Sequence, residues 1–362
     1  MSKFQRYLAL QDLWKPKLLL AVDPISLQKI VVSFVALGME HGLLISSGFE
    51  VFAWGRNHRG QLGLGTTTDV AEPTLVALKA CWVACGEDHS CGISAGGEVY
   101  TWGNAETGKL GHGSSLIRSA MSFPKQIELE TRVKRAACGS LHTALVGTNG
   151  ELLTFGAGWF GRLGHGDMNN QYSPKLVRQV QPSEKAPRFA EVSCGSFHSC
   201  ALCEESMLWL CGRDYSVCQA DHVTVPLLFN VEDEVVAVAA GANHSLCVSR
   251  AGKLWGWGDN SKGQLGQGHG AFEKLPLTLI SCRAWSKESK DERNKANKAQ
   301  KAELLGVSCG YAHSMAFTDA GEVYAWGLQS GGRLALKTCF DSKSCPVPQR
   351  VFPAWKLTEK VK

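Results

Sequence analysis

A five-residue phrase built on Gly-x-x-His recurs six times along the 362 residues, and no other feature constrains the fold as strongly. It reads Leu37-Gly38-Met39-Glu40-His41, Cys85-Gly86-Glu87-Asp88-His89 and Cys138-Gly139-Ser140-Leu141-His142 in the first half. Cys194-Gly195-Ser196-Phe197-His198, Ala240-Gly241-Ala242-Asn243-His244 and Cys309-Gly310-Tyr311-Ala312-His313 follow, with the histidines 48, 53, 56, 46 and 69 residues apart. A second phrase trails each histidine: Trp54-Gly55, Trp102-Gly103, Phe155-Gly156, Cys211-Gly212, Trp257-Gly258 and Trp326-Gly327. Five units add Gly-x-Leu-Gly or its near copy, beginning at Gly60, Gly108, Gly161, Gly263 and Gly332. Self-similarity at about 50 residues is the mark of a repeat architecture.

Inside one unit the period is two. Val235–Ala239 is a short apolar strand, His244–Ser249 a second and Lys253–Trp257 a third, joined by Ala251-Gly252. Unit three carries Asn149-Gly150 at that joint, a strong hairpin signal. A fourth strand follows the Gly-rich loop and opens on proline, as in Glu72-Pro73-Thr74-Leu75-Val76, which suits an outermost strand. Four antiparallel strands per unit, repeated in series, predict an all-β propeller with six blades at about 29–79, 80–130, 131–180, 188–229, 232–281 and 304–352. The 39 glycines and 11 tryptophans fit tight turns and large buried plates. In Gly-x-Leu-Gly the glycines are expected at positive φ, with the leucine filling the gap between blades.

Segment 1–28 precedes the blades, and Trp14–Leu20 within it reads as an outer strand available for closure. Residues 283–303 form a charged insertion between blades five and six, expected to be dispensable for folding, and 353–362 a tail. The longest apolar run, around Ile30–Gly38, is far short of the roughly 20 residues of a membrane helix. Residues Met1–Trp14 lack the pattern of a secretory signal. A net charge of +5, spread along the chain, does not form the clustered basic face of nucleic-acid binders. Fourteen cysteines, several at one motif position, read as small buried hydrophobes in a reducing compartment, cytosol or nucleus.

The chemistry-bearing motifs are absorbed by the repeat. Gly156-x-Gly158-x-x-Gly161 matches a dinucleotide fingerprint only in letters, since it coincides with the repeat's own loop. Cys200-Ala201-Leu202-Cys203 has no second CxxC to pair with, so no metal and no cofactor is expected. The repeat histidines His41, His89, His142, His198, His244 and His313 are expected to bond backbone at blade junctions, and Trp54, Trp102, Trp257 and Trp326 to pack the blades. No catalytic triad, HExxH or P-loop occurs, so an ordinary enzyme is not expected.

Cys-Gly-x-x-His-Ser, Gly-Glu-Val-Tyr-x-Trp-Gly and Gly-Gln-Leu-Gly-x-Gly resemble the repeats of the regulator of chromosome condensation family, over residues 30 to about 352. The resemblance implies a seven-bladed propeller, one more blade than the six repeats found. Its implied functions are protein-interaction modules and, in one branch, guanine-nucleotide exchange on the small GTPase Ran, which displaces nucleotide without covalent chemistry. Light sensing in the family uses a Trp before the motif histidine, absent from all six units.

The preferred reading is a scaffold that binds a protein partner; the alternative is an exchange factor for a small GTPase. The residues between Gly and His should emerge together around the channel mouth. Glu40, Glu87 and Asp88 would form an acidic arc, matching the exchanger's acidic character, and Leu141, Phe197 and Tyr311 an apolar and aromatic one, with Asn243 a further candidate contact. The Gly-x-Leu-Gly loops are expected on the opposite rim.

Overall fold

The computed structural model describes residues 20–22, 29–113, 120–178, 187–213, 222–268, 274–280, 303–330, 333–334, 336 and 344–351. They form six antiparallel blades spanning 29–79, 82–127, 133–176, 189–229, 235–280 and 304–350. Blade five shows the plan: Val235–Ala240, His244–Ser249, Leu254–Asp259 and Lys274–Ile280 pair in sequence order. A fifth strand, Leu20–Val22, runs antiparallel to the start of Lys29–Leu37 in blade one. The rest of 1–28, the insertion apart from Glu303, and the tail lie outside the described residues.

The hydrophobic pattern follows from stacking blade on blade. Second strands such as His142–Gly147 and His198–Cys203 are buried at every residue, because a neighbouring blade covers each face. Such strands read as apolar runs rather than alternations. Cys200 and Cys203 consequently enter different inter-blade cores on the two sides of blade four. Five separate cores fill the junctions one–two through five–six. Leu62 packs with Trp102, and Leu265 with Trp326, as blade-gap fillers. The two outward-facing ends differ: Val32, Leu44 and Phe52 form one small cluster on blade one, and Ala325, Leu334, Leu336 and Cys345 another on blade six. The second strand of blade six, His313–Thr318, alternates half-buried with buried, having one less-covered face.

Candidate functional site

The Gly-x-x-His turn is the structural joint of the propeller. In blade two a Cβ added at Gly86 would lie 2.4 Å from His89 Cε1 and 2.5 Å from Gly139 O of the next blade. Only glycine lets imidazole and neighbouring carbonyl close on the same point. The imidazole then reaches forward. His41 Nε2 meets Ser90 Oγ at 2.9 Å, His89 meets Thr143 at 3.0 Å, His142 meets Ser199 at 2.8 Å, His198 meets Ser245 at 2.7 Å and His244 meets Ser314 at 2.9 Å. This corrects the expected backbone bond: the partner is the hydroxyl that directly follows the next blade's histidine.

Hydrogen-bond logic fixes the tautomer at four joints. Ser90, Thr143, Ser199 and Ser314 each donate their single hydroxyl proton, at 2.8 Å, to the carbonyl of Gln61, Lys109, Arg162 or Gln264 in the preceding blade's loop. Their oxygens must therefore accept from Nε2–H of the histidine. Nδ1 is left buried with no partner, so a second proton has nothing to bond. Burial lowers His41 to about 4 and His244 to about 3 and holds His142 well below the usual imidazole range; His198, whose Nδ1 is also buried without a partner, is likewise lowered to about 4. Of the motif cysteines Cys194 is buried and Cys85, Cys138 and Cys309 are half-buried; desolvation pushes Cys309 up to about 12.

The turns form a continuous belt. Met39 N donates to Gly86 O, Glu87 N to Gly139 O, Ser140 N to Gly195 O, Ser196 N to Ala242 O and Ala242 N to Tyr311 O, at 3.1–3.4 Å. The Gly-x-Leu-Gly loops sit on this same face, correcting their expected place on the opposite rim. The reason is topological: the third strand runs antiparallel to the second, with His41 opposite Gly55, so its end returns to the Gly-x-x-His edge. Asn104 N donates to Asp88 O and Ala157 N to Leu141 O across that edge.

Each candidate residue then has a distinct setting. Exposed Glu40 pairs with Arg56. Glu87 is exposed, and no ion pair is described for it. Asp88 accepts from Lys109 Nζ at 2.6 Å and Asn104 Nδ2 at 2.7 Å. Burial alone would raise its carboxyl, but Lys109 and Asn104 outweigh that and hold it below the usual range. Leu141 and Asn243 are half-buried, and Tyr311 is 57% exposed. Half-buried Phe197 meets Phe160 edge-on, with centroids 5.5 Å apart at 87°. Trp102 and Trp326 are fully buried and donate to Gln61 O and Gln264 O at 2.8 Å. Trp54 instead folds its ring over Gly42, within 2.4 Å of where a Cβ would be.

The residues that sequence reading missed are the cations. Lys109 and Arg162 occupy the variable position of Gly-x-Leu-Gly, both fully buried. That this position changes from Gln61 and Gln264 to Lys109, Arg162 and Arg333 was the available signal. Beside Arg162 the fourth unit's departure from the motif becomes visible. Cys211 Sγ approaches Arg162 O at 3.4 Å, replacing an indole N–H. A shallow cleft lies between blades four and five, lined by His198, Arg213, Asn243 and Trp257 among others. Among the described residues no group of three or more His, Cys, Asp or Glu is placed to hold a metal.

A profile described as the RCC1-like domain matches residues 15–269, and profiles of the regulator of chromosome condensation (RCC1) repeat match 251–317 and 306–333. The chain is 29% identical to the ultraviolet-B receptor UVR8 of Arabidopsis thaliana over 322 residues, covering 87% of this chain and 57% of the receptor. It is 31% identical to the human E3 ubiquitin-protein ligase HERC2 over 220 residues, 58% of this chain and 4% of the ligase. The chain thus spans just over half of the first relative and a small fraction of the second. Among solved structures, human WBSCR16 superposes with a TM-score of 0.78 at 22% identity, over 90% of this chain and 85% of that one. Saccharomyces cerevisiae Prp20p, described with its binding to Gsp1p and histones, gives 0.71 at 21% identity, over 90% and 77%. These two likenesses concern the fold.

Proposed function

We propose, from the premise that the chain belongs to the family of RCC1-like domains, that it is a protein-interaction platform without turnover of its own. Its partner docks on the face where the Gly-x-x-His turns and the Gly-x-Leu-Gly loops meet. One observation carries this reading: five inter-blade backbone bonds stitch the six turns into a single rigid belt that displays Glu87, Phe197 and Tyr311 from different blades. A surface fixed in advance loses little entropy on binding, and aromatic groups beside charge are what protein interfaces favour. Further support comes from Leu37, Met39 and Tyr311, which are 71%, 55% and 57% exposed along or beside this belt.

Guanine-nucleotide exchange on a small GTPase is the second reading, and the acidic arc is what favours it. It ranks second because Glu40 is committed to Arg56 and Asp88 to Lys109, which leaves Glu87 to face a partner. A cytosolic or nuclear setting is proposed alongside, supported by Cys194, Cys200 and Cys247, which are buried as free thiols. Affinity purification from extract with and without EDTA separates the two functions. Magnesium removal strips nucleotide from GTPases, so an exchanger retains a GTPase more strongly under EDTA, whereas a scaffold's partner is unchanged. Failure of a Tyr311→Ala, Phe197→Ala, Glu87→Lys variant to lose any partner would remove this face from the account.

A further inference from the structure

Five joints of the ring are made, and the one between blades six and one is not. Among the described residues these two blades share no hydrophobic core and no backbone hydrogen bond. The belt of backbone bonds stops at Tyr311, whose N–H has no described acceptor, and at Gly38, whose carbonyl has no described donor. The repeat itself tells what each wall lacks. Val83, Ala136, Val192, Val238 and Val307 share one register position, and each belongs to the core formed with the preceding blade. Val35 takes that position in blade one, belongs to no core and is 39% exposed. Two residues on, Leu37 is 71% exposed where Cys194 and Ala240 are 9%. On the other wall Met315 and Val323 of blade six are half-buried, although their counterparts in blades one to five are all 3% exposed or less. Large apolar side chains left open on both walls mark a surface that something covers.

The polar groups at the walls narrow the occupant. Each histidine of blades one to five meets a hydroxyl of the following blade, but His313 has no described hydroxyl, and its Nδ1 is buried without a partner. Blade one does not supply one. The position after its histidine is Gly42, and Trp54 lies within 2.4 Å of where a Cβ would stand, so a serine there displaces the indole. A second copy presenting its own blade one brings the same glycine and the same indole. Residues 1–28, 281–302 and 352–362 contain neither glycine nor histidine, so they hold no Gly-x-x-His turn. On blade one Trp54 Nε1 has no described acceptor, whereas Trp102 and Trp326 donate to a carbonyl of the preceding loop at 2.8 Å. The missing neighbour thus brings a hydroxyl and a carbonyl to blade six, and a carbonyl to blade one. Two sheet walls are covered by a third sheet, apolar on both faces and about 10 Å from each.

We propose that the gap between blades six and one receives a β-hairpin of a partner protein. The hairpin is apolar on both faces, and its turn brings a Ser or Thr hydroxyl to His313 and a backbone carbonyl to the N–H of Tyr311. Val35 and Leu37 on one wall and Met315 on the other are its apolar contacts. This surface is the side of the ring rather than the belt face assigned above, and either can bind without the other.

The test uses the whole chain and a fluorescein-labelled peptide of residues 82–103, the first three strands of blade two, read by anisotropy. The peptide carries Gly86 and Ser90 in the register that the gap lacks. Saturable binding is expected below about 100 µM. Ser90→Ala in the peptide should weaken it about tenfold, the scale of a buried donor left unpaired, and Ser90→Thr should restore it, as Thr143 serves in blade three. Leu37→Lys in the protein, at an exposed position, should abolish binding and leave the melting point unchanged. Hydroxyl-radical footprinting of the same samples reads the site: without peptide Leu37 and Met315 are labelled, and with it both are protected. No saturation below about 1 mM, or equal binding of the Ser90→Ala peptide, overturns the proposal. So does protection of Leu37 in the chain alone. Protection independent of concentration would mean that the chain's own residues fill the gap, and protection that grows with concentration that a second copy does.

Discussion

Mild acid should unfold this propeller, and the reason is the orientation of its histidines. At all five joints the buried Nδ1 faces no partner, and at four of them, those of His41, His89, His142 and His244, the next blade's hydroxyl already donates to a loop carbonyl, so the imidazole donates through Nε2. The folded chain therefore resists a second proton: His41 and His198 sit at about 4 and His244 at about 3, against about 6.5 when unfolded. The sign follows from proton linkage. Above pH 6.5 neither state is protonated and the stability is intact. As pH falls below the unfolded value, the unfolded chain gains protons that the folded chain cannot take, and stability drops until the folded values are reached. At pH 5 the unfolded histidine is one and a half pH units below its own value, a loss of about 2 kcal/mol for each group. Three such groups cost about 6 kcal/mol, within the 5–15 kcal/mol typical of a whole domain. Glu191, raised by burial against the pull of Arg135, acts with the opposite sign, but it is one group against several. Urea melts followed by tryptophan fluorescence from pH 7.5 to 4.5 would measure the profile. His198→Asn should flatten it by about 2 kcal/mol between pH 7 and 5. A midpoint at pH 5 equal to that at pH 7 would refute the assigned tautomers and burial.

Three further outcomes are expected. Trp102→Ala removes a fully buried plate and the indole bond to Gln61 O, and should cost about 3–5 kcal/mol in a denaturant melt. Asp88→Asn leaves Lys109 buried without its counter-ion and should cost about 3 kcal/mol or more, whereas Glu87→Lys should leave the melting point nearly unchanged; equal effects would show that Asp88 carries no special burden. Once a partner is in hand, Glu87→Lys should slow association and change its salt dependence, and Tyr311→Ala should speed dissociation, at a cost of about 2 kcal/mol if it is a hot spot, both read by surface plasmon resonance.

What the sequence made legible was whatever a single unit decides. The strand order, the hairpin at Asn149-Gly150 and the leucines that fill blade gaps all follow from local turn chemistry and period-two patterning. The misreadings arose where a second unit takes part. His41 pairs with Ser90, 49 residues away, and no local rule prefers that hydroxyl to a nearer carbonyl. The side of the Gly-x-Leu-Gly loops required following the chain through two reversals of direction, from Leu37 to Gly55 and beyond. Of the candidate residues, Tyr311 and Glu87 could be placed as exposed because nothing in the repeat demands them. Asp88 reads as a member of the acidic arc because its partner Lys109 lies 21 residues downstream, and the burial of Arg162 carries no local signal because it comes from packing between blades.

The pairing of imidazole with the following blade's hydroxyl has a direction, and direction implies a first and a last member. Blade one carries Gly42 where the others carry Ser90, Thr143, Ser199, Ser245 and Ser314, so it offers no hydroxyl to a preceding histidine. At the other end, no hydroxyl partner is described for His313, whose Nδ1 is also unpaired. In energetic terms the described blades behave as a one-dimensional array with five nearest-neighbour couplings and two termini. Interior blades are held from both sides and terminal blades from one. Opening fluctuations should therefore begin at blades one and six and travel inward. Amide hydrogens in Val323–Leu328 should exchange through small local excursions, while those of His142–Gly147 wait for the cooperative loss of the whole array.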